Sequence, residues 1–358
     1  MRPRRLRTVP LLLAAGIAGP LWAQSPGQHN AITDVPGISV GQVGGDSGTT
    51  VVVVTSPTGA VGGVTQRGGS PGTRETDLMR PDNMVETMNA IVLSGGSAYG
   101  LAAASGVMRC LESRGVGFPV GGGNVVPIVP AAVSGDRATC GGPPAARPDF
   151  SAGQEACMAA SSGPVAQGNI GAGAGAVSGG VKGGIGTASV VLPNGIVVGA
   201  IVSVNSEGTA YDANGDLYAA PLELANEFRG LTRAGGPGSR VPRSLPGGPL
   251  SSGTNAVVAT NVQLNKSQAT KIAEMADDGI ARAINPAHTP GDGDTLFVLG
   301  TGQLAVAPAE ANAVVTQVGT AAANAVSRAI VHALLSARST SCQSSYCDMF
   351  PAACQNRR

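Results

Sequence analysis

A stretch of 19 residues near the middle of the chain, residues 168–186, contains nine glycines. Glycine is unfavourable inside helices, but it adopts positive φ angles and lets two backbones approach closely. The glycines do not recur at every third position as in collagen, and no Lys-Ser/Thr pair follows them as in a phosphate-binding loop. The stretch therefore indicates tight turns and close backbone packing, or a backbone that lines a catalytic cavity.

The charge balance excludes partners that need a strong positive field. Lys and Arg number 23 against 22 Asp and Glu, which leaves a net charge of +1, whereas a nucleic-acid-binding protein would carry a clear basic excess. With 42% hydrophobic residues, the chain is too apolar for intrinsic disorder. The composition predicts a folded protein that binds no nucleic acid and has a core of small and β-branched side chains.

The first 23 residues have the pattern of a signal peptide. Four arginines precede an apolar run at residues 9–21, and an alanine closes the segment at position 23. The run is too short for an ordinary spanning helix, although a short N-terminal anchor is the alternative. We expect residues 1–23 to be removed, the mature protein to be periplasmic or secreted, and no membrane contact after removal.

Cysteine usage agrees with export. An even number of cysteines in an exported chain favours disulfides, and this chain has six: Cys110, Cys140, Cys157, Cys342, Cys347 and Cys354. The spacing suggests one bridge within the last three and another between Cys140 and Cys157, but it does not fix the connectivity. None of the three histidines is spaced with a cysteine pair, so no metal site is predicted.

Hydrophobic patterning predicts both strands and helices. Strands are expected at residues 49–54, 90–94, 188–192, 195–205, 255–260 and 295–300, and helices at 83–88, 98–114, 266–284 and 309–337. Residues 59–72 are interpreted as a loop and residues 137–163 as an exposed excursion. Because strands and helices do not alternate strictly, the fold class is predicted as α+β, or a layered α/β/β/α arrangement.

Two kinds of nucleophilic chemistry fit the residues. His288 lies in a turn beside Asp292 and Asp294, but a Ser-His-Asp triad lacks a Gly-x-Ser-x-Gly elbow in this chain. A chain cut before a hydroxyl residue offers another solution, since the new α-amine titrates near 8 and serves as base. The segment Ser-Ser-Gly-Thr at 251–254 follows a Gly/Pro-rich linker and precedes a strand. On this evidence alone, an ordinary loop entering a strand is the favoured interpretation of the segment.

Ordered blocks along the mature chain carry a resemblance. They are NAITDVPG at 30–37, GSPGTRETDL at 69–78, AIVLSGGSAYGL at 90–101, GNIGAG at 168–173, KGGIGTAS at 182–189, VVATN at 257–261 and DGDTLF at 292–297. From about residue 30 to 335 the chain resembles the DmpA-type aminopeptidases, which include L-aminopeptidase/D-esterases and β-peptidyl aminopeptidases. The resemblance implies a four-layer αββα fold of Ntn-hydrolase appearance, with its own connectivity.

The resemblance also implies a self-cutting proenzyme. Its large chain would be residues 24–253 and its small chain residues 254–358, with a Cys-rich tail at 339–358, and these pairs would assemble into homo-oligomers. The implied activity removes N-terminal residues from short peptides, amides or esters. No metal or organic cofactor is implied.

Individual residues match the family's functional positions. Asn169 corresponds to a donor of the oxyanion hole. Asp292 and Asp294 correspond to positions that orient the nucleophile or hold the substrate ammonium. The turn containing Gly96, Ser97 and Tyr99 resembles a wall of the substrate pocket.

The nucleophile position departs from the family pattern. Counted back without a gap from the VVATN block, it falls on Gly253, whereas a short deletion moves it to Thr254. A shift of one residue on a strand turns a side chain to the opposite face. We predict cleavage between Gly253 and Thr254, with Thr254 as nucleophile. An uncleaved, weak or inactive peptide-binding homologue is the alternative, and an ornithine acetyltransferase-like acyltransferase is a second one.

Overall fold

A computed structural model describes residues 24–44, 50–135, 147–235 and 252–357. The predicted signal peptide, Cys140, Ser251 and most of the Gly/Pro-rich linker lie outside the described residues. Thr254 and the residues that follow it lie inside them.

The described part contains fifteen strands, which are numbered in chain order. They are β1 (Ser39–Val43), β2 (Thr50–Val54), β3 (Ala60–Gln66), β4 (Gly72–Arg74), β5 (Thr87–Met88), β6 (Ala90–Ser94), β7 (Phe118–Gly121), β8 (Asn124–Val126), β9 (Ala131–Val133), β10 (Val177–Ser178), β11 (Val181–Lys182), β12 (Gly184–Val191), β13 (Val197–Val204), β14 (Asn255–Val262) and β15 (Thr295–Leu304). The α-helices are α1 (Ala103–Glu112), α2 (Phe150–Met158), α3 (Lys266–Ala283), α4 (Ala311–Ser336) and α5 (Tyr346–Met349).

Two larger sheets dominate the architecture. The first has the order β1-β2-β6-β9-β4, and the second has the order β12-β13-β14-β15-β3-β5. Most neighbours are antiparallel, but β14 and β15 run parallel, with Asn255 opposite Thr295. These two strands therefore begin at the same edge of the second sheet.

The two sheets pack face to face and carry helices on their outer sides. One apolar cluster lies between the sheets and includes Ile91, Ile201 and Phe297. A second joins the outer face of the second sheet to α3 and α4, and a third joins the first sheet to α1 and α2. The predicted αββα order is confirmed. Since both faces of each sheet are covered, β14 is buried along its whole length.

The predicted last helix corresponds to α4. Together with the turn before it, α4 is long and apolar enough to cross a membrane, but 83% of its most apolar stretch is buried inside the protein. Its apolar side chains pack against α3 and the second sheet. The helix is therefore a core helix of this fold.

Three regions differ from the prediction. The predicted loop at 59–72 contains β3 and the first residue of β4, with a loop only between them. The glycines at the centre of β3 make room for the backbone of α3 and for two methionine side chains. Residues 83–88 form a turn and the short strand β5 instead of a helix. Residues 137–146 of the predicted excursion lie outside the described residues, and the rest of it contains α2, whose buried face covers the first sheet.

Two disulfides lie in the described residues. Cys110 of α1 bonds to Cys157 of α2, so the expected Cys140–Cys157 pairing is wrong. The expected bridge within the C-terminal tail is confirmed as Cys347–Cys354.

The glycine-rich stretch serves close packing. A Cβ on Gly186 of β12 would lie well inside van der Waals contact of the Ala329 carbonyl oxygen on α4. A Cβ on Gly173 would meet the Gly184–Ile185 backbone in the same way. These glycines let α4 and the loop that contains Gly173 lie directly on β12.

Substituting Gly186→Ala should therefore destabilise the protein by about 2–3 kcal/mol, because backbone on both sides must move. Thermal unfolding followed by circular dichroism measures this change. Gly163→Ala is the matched control, since the nearest atom to its added methyl is 3.9 Å away. Equal melting temperatures for the two variants would contradict the packing argument.

Candidate active site

Thr254 lies directly before β14 and is fully buried. Its carbonyl accepts a hydrogen bond from the Thr295 amide at 3.3 Å. The preceding residue, Gly253, donates its amide to the Asn205 carbonyl at 2.6 Å and lies against Gly293. The bond between Gly253 and Thr254 is thus held on both sides by the backbone of neighbouring segments.

The main-chain nitrogen of Thr254 contacts a carboxylate. It donates to Asp294 Oδ1 at 2.6 Å, across 40 residues of sequence. The other oxygen, Asp294 Oδ2, accepts from the His288 amide at 3.0 Å and lies 2.9 Å from His288 Nδ1. If the bond before Thr254 were cut, the nitrogen facing Asp294 would become a free α-amine.

The hydroxyl of Thr254 is buried and has no hydrogen-bond partner among the described residues. A buried hydroxyl without a partner costs about 1–3 kcal/mol, so native structures rarely contain one unless it has a function. This hydroxyl belongs to the residue predicted as nucleophile.

Asp292 has different partners from Asp294. Its oxygens accept from the Glu207 amide at 3.1 Å and from the Thr289 amide and hydroxyl at 3.3 and 3.0 Å. Burial, together with the nearby Asp294 charge, raises the pKa of Asp292. Asp292 therefore stabilises the turn that carries Asp294, and Asp294 is the member of the pair that contacts Thr254.

Asn169 lies in the glycine-rich stretch, and its side chain contacts the backbone that follows α4. Its Nδ2 donates to the Arg338 carbonyl at 2.9 Å, and its Oδ1 accepts from the Arg338 amide at 2.9 Å. Both residues line a cavity of about 650 Å³. Within the described residues no hydrogen bond joins Asn169 to Thr254, and its predicted role as oxyanion donor stays a prediction.

Asn205 is a candidate that sequence reasoning missed. It follows β13 and is buried. Its carbonyl accepts from Gly253 at the predicted cleavage site, and its Oδ1 accepts from the Val177 amide at 2.9 Å. The pairing of β13 with β14 places it there, and only that register, rather than a local motif, could have identified it.

The predicted pocket wall lies at the end of β6 in the first sheet. Gly96 and Ser97 have φ angles of +80° and +59°, and the Ser97 amide donates to the Ser134 carbonyl at 3.0 Å. Tyr99 is 62% exposed, and the Arg147 guanidinium stacks 3.6 Å from its ring centroid. Their role in substrate binding stays a prediction.

His288, which the sequence analysis considered for a Ser-His-Asp triad, lies between two carboxylates. Its Nδ1 faces Asp294, and its Nε2 lies 3.1 Å from Asp277 Oδ2 on α3. These two carboxylates, Asp277 foremost, raise the pKa of His288 to about 9. The ring is therefore a cation at neutral pH and cannot accept a proton as the base of a Ser-His-Asp triad.

Among the residues that the structure describes, no group of three or more His, Cys, Asp or Glu side chains could hold a metal ion. The groups around Thr254 are its own hydroxyl and main-chain nitrogen and the carboxylate of Asp294.

Comparison with known proteins identifies the family. The model of peptidase family S58 matches residues 30–346. The chain belongs to peptidase family S58. It is 43% identical over 351 residues to an uncharacterized aminopeptidase of Mycobacterium leprae, covering 90% of this chain and 95% of the relative. This S58 chain is therefore a hydrolase of the aminopeptidase type.

Solved structures share the fold. A β-aminopeptidase of Burkholderia sp. superimposes with a TM-score of 0.65 at 24% identity, covering 92% of this chain and 95% of that one. The L-aminopeptidase D-Ala-esterase/amidase of Ochrobactrum anthropi, described as a variant of the Ntn-hydrolase fold, gives 0.66 at 20% identity, covering 93% and 95%. The expected Ntn-hydrolase-like α+β fold is confirmed.

The raised pKa of His288 predicts a pH-dependent stability. Its folded value of about 9 lies above the ordinary 6.5, so the stabilisation is fully present below pH 6.5 and is lost as the pH rises through 9. The amount is on the order of 3 kcal/mol. The melting temperature of the wild type should fall over this range more steeply than that of His288→Gln.

His29→Gln is the control, because it removes an imidazole from another part of the molecule. If the melting temperatures of the wild type and His288→Gln changed in parallel between pH 6 and 10, the assignment of the ion pairs to His288 would be contradicted.

Proposed function

We propose that this S58 protein is an exported, self-processing aminopeptidase whose nucleophile is Thr254. One observation carries the proposal. The main-chain nitrogen of Thr254 lies 2.6 Å from the Asp294 carboxylate, while the hydroxyl of the same residue is buried without a partner among the described residues. An N-terminal nucleophile needs both groups of a single residue, one as base and the other as attacking atom.

Self-cleavage would begin with attack of Thr254 Oγ1 on the carbonyl carbon of Gly253. The C–N bond breaks as the nitrogen takes up a proton, and Gly253 becomes an ester on the threonine oxygen. Water then hydrolyses this ester, leaving a carboxylate on Gly253 and a free amine on Thr254. The absence of a Cβ on Gly253 leaves its carbonyl open to this attack.

Turnover would use the same atoms. The freed amine of Thr254 takes the hydroxyl proton, since α-amines titrate near 8, and the oxygen attacks the substrate carbonyl. The proton passes to the leaving amine or alcohol, and water hydrolyses the acyl-enzyme. Asp294 would hold the amine in place through this cycle.

The oxyanion requires donors in the site. The side chain of the predicted donor Asn169 is hydrogen-bonded to the Arg338 backbone, whereas the main-chain carbonyl of Asn205 accepts from the amide of Gly253, the residue before Thr254. The Asn205 amide oxygen is fixed by Val177, which sets the orientation of its NH₂ group. We propose Asn205 as an oxyanion donor alongside or instead of Asn169; such a donor is worth about 3–4 kcal/mol of transition-state stabilisation.

The proposed substrates are short peptides, amides or esters with a free N-terminal amine. The activities of the similar structures, a β-aminopeptidase and an aminopeptidase with D-Ala-esterase/amidase activity, support this class. The carboxylates Asp292 and Asp294 supply negative charge near the nucleophile for the substrate ammonium. The turn of Gly96, Ser97 and Tyr99 is proposed as a pocket wall.

Export and assembly complete the proposal. Removal of residues 1–23 would release a periplasmic or secreted protein without a membrane contact, and the disulfides of the described residues suit an oxidising compartment. The pairs of large and small chain would form homo-oligomers, with no metal, organic cofactor or nucleic acid as partner.

The intact mass of the purified protein under reducing, denaturing conditions tests self-cleavage. We expect two species, residues 24–253 and 254–358, for the wild type and for Thr254→Ser, and one uncut inactive chain for Thr254→Ala. Two species cut at another bond would move the nucleophile. A single wild-type chain would favour a peptide-binding homologue, and acyl transfer to an added amine would favour an acyltransferase.

The different contacts of the two aspartates predict different variant phenotypes. Asp294→Asn should slow peptide hydrolysis by about 100-fold or more, because the nitrogen of Thr254 loses its carboxylate partner. Asp292→Asn, the matched control, should slow it by less than about 10-fold and mainly lower the melting temperature. Equal losses of kcat in the two variants would contradict the assignment of Asp294 as the partner of the nucleophile.

A further inference from the structure

A buried carboxylate on α3 takes no part in the proposed cleavage and turnover. Asp277 is fully buried, and the contacts of its carboxylate within the described part of the chain are with charged side chains. Its charge is faced by His288 Nε2 at 3.1 Å and by Arg67 Nε at 3.5 Å. Burying a carboxylate in this way is costly, and such groups persist mainly where they serve a function.

The partner of Asp277 leads directly to the nucleophile. His288 has a φ of +57°, an uncommon angle for a residue other than glycine. This backbone turns its amide and its Nδ1 onto the same oxygen, Asp294 Oδ2. The remaining oxygen, Oδ1, contacts the Thr254 nitrogen. Asp277, His288, Asp294 and Thr254 therefore form one continuous chain of contacts.

Only the protonated ring of His288 presents an N–H to both carboxylates in this chain of contacts. A neutral imidazole has one N–H, so its other nitrogen presents a lone pair. With the proton on Nδ1 the lone pair faces Asp277, and with the proton on Nε2 it faces Asp294. Either tautomer places a lone pair within about 3.1 Å of a carboxylate oxygen.

We propose that His288, held as an imidazolium by Asp277, is a positioning residue that fixes Asp294 on the nucleophile and sets the pH range of catalysis. Its cation also offsets part of the negative charge around the Thr254 amine. That charge comes from Asp294 and its neighbour Asp292, and the Glu207 carboxylate lies against the same turn, where it accepts from Thr289 Oγ1. Arg67 contacts both Asp277 and the exposed Asp278. The raised pKa of His288 agrees with this arrangement. The proposal rests on the proposed role of Thr254.

The proposal predicts that activity falls at both low and high pH, and it assigns each fall to one group. On the acid side the Thr254 amine must lose its proton to act as base. On the alkaline side His288 loses its proton, Asp294 is released and activity falls near pH 9. Removing the imidazolium favours the ammonium form of the amine, because a nearby positive charge is lost.

The test is the pH dependence of kcat and kcat/KM for a short peptide amide, measured on wild type, His288→Gln, Asp277→Asn and Asp278→Asn. In His288→Gln the acid limb should move to higher pH by about one unit, and the alkaline limb near pH 9 should disappear. At pH 7, kcat should fall by about 10-fold with little change in KM. In Asp277→Asn the alkaline limb should move to lower pH.

Asp278→Asn is the matched control, since it makes the same charge change one residue away on an exposed side chain that faces Arg67. Its profile should follow the wild type. If His288→Gln lowered the maximal activity but left both limbs of the pH profile at their wild-type pH values, the proposal would be overturned and the role of His288 would be purely structural. Should His288→Gln fail to fold, unmoved limbs in Asp277→Asn would overturn it instead.

The mass of each variant separates this inference from the proposed function. A wild-type chain that stays uncut would refute the role of Thr254 before His288 is tested. A wild type that is cut and active, with limbs that neither variant moves, would refute the inference alone.

Discussion

The contact between Asp294 and the nitrogen of Thr254 depends on the parallel pairing of β14 and β15. Each of these residues directly precedes its strand, and the strands begin opposite one another with Asn255 facing Thr295. Parallel neighbours have their N-terminal ends at the same edge of a sheet. Asp277 lies on α3 and His288 lies on the turn between α3 and β15, so the one connection between the two strands supplies most of the charged groups around the proposed nucleophile.

This edge of the sheet is closed by backbone rather than by large side chains. A Cβ on Gly68 would lie against the backbone of Asp292, and one on Gly293 would lie 2.8 Å from the Ser70 carbonyl oxygen. The close approach keeps Asp292 and Asp294 almost fully buried. Burial makes each charge expensive unless it is paired, which explains why these two carboxylates are met by main-chain amides, a histidine and a threonine hydroxyl.

The sequence allowed the fold to be predicted where apolar runs were long. The runs that became β14, β15, α3 and α4 were located to within a few residues, and the motif blocks led to Thr254 and Asp294. Strand β3 was missed because its glycines resemble a loop unless the backbone of α3 beside them is known. The contacts of Asn205 and Asp277 depend on strand register and on one face of α3, neither of which a local motif encodes.

The proposed self-cleavage and turnover would place different demands on Asp294. Before cleavage its Oδ1 accepts from a neutral amide, and afterwards the same oxygen would have to hold an amine that gains and loses a proton. A mobile carboxylate would follow each change of charge and misplace the nucleophile by about an ångström, which is enough to cost catalysis heavily. Because the His288 amide and ring fix Oδ2, Oδ1 keeps its position while the group it faces changes. A fixed carboxylate of this kind would let one site serve both proposed reactions.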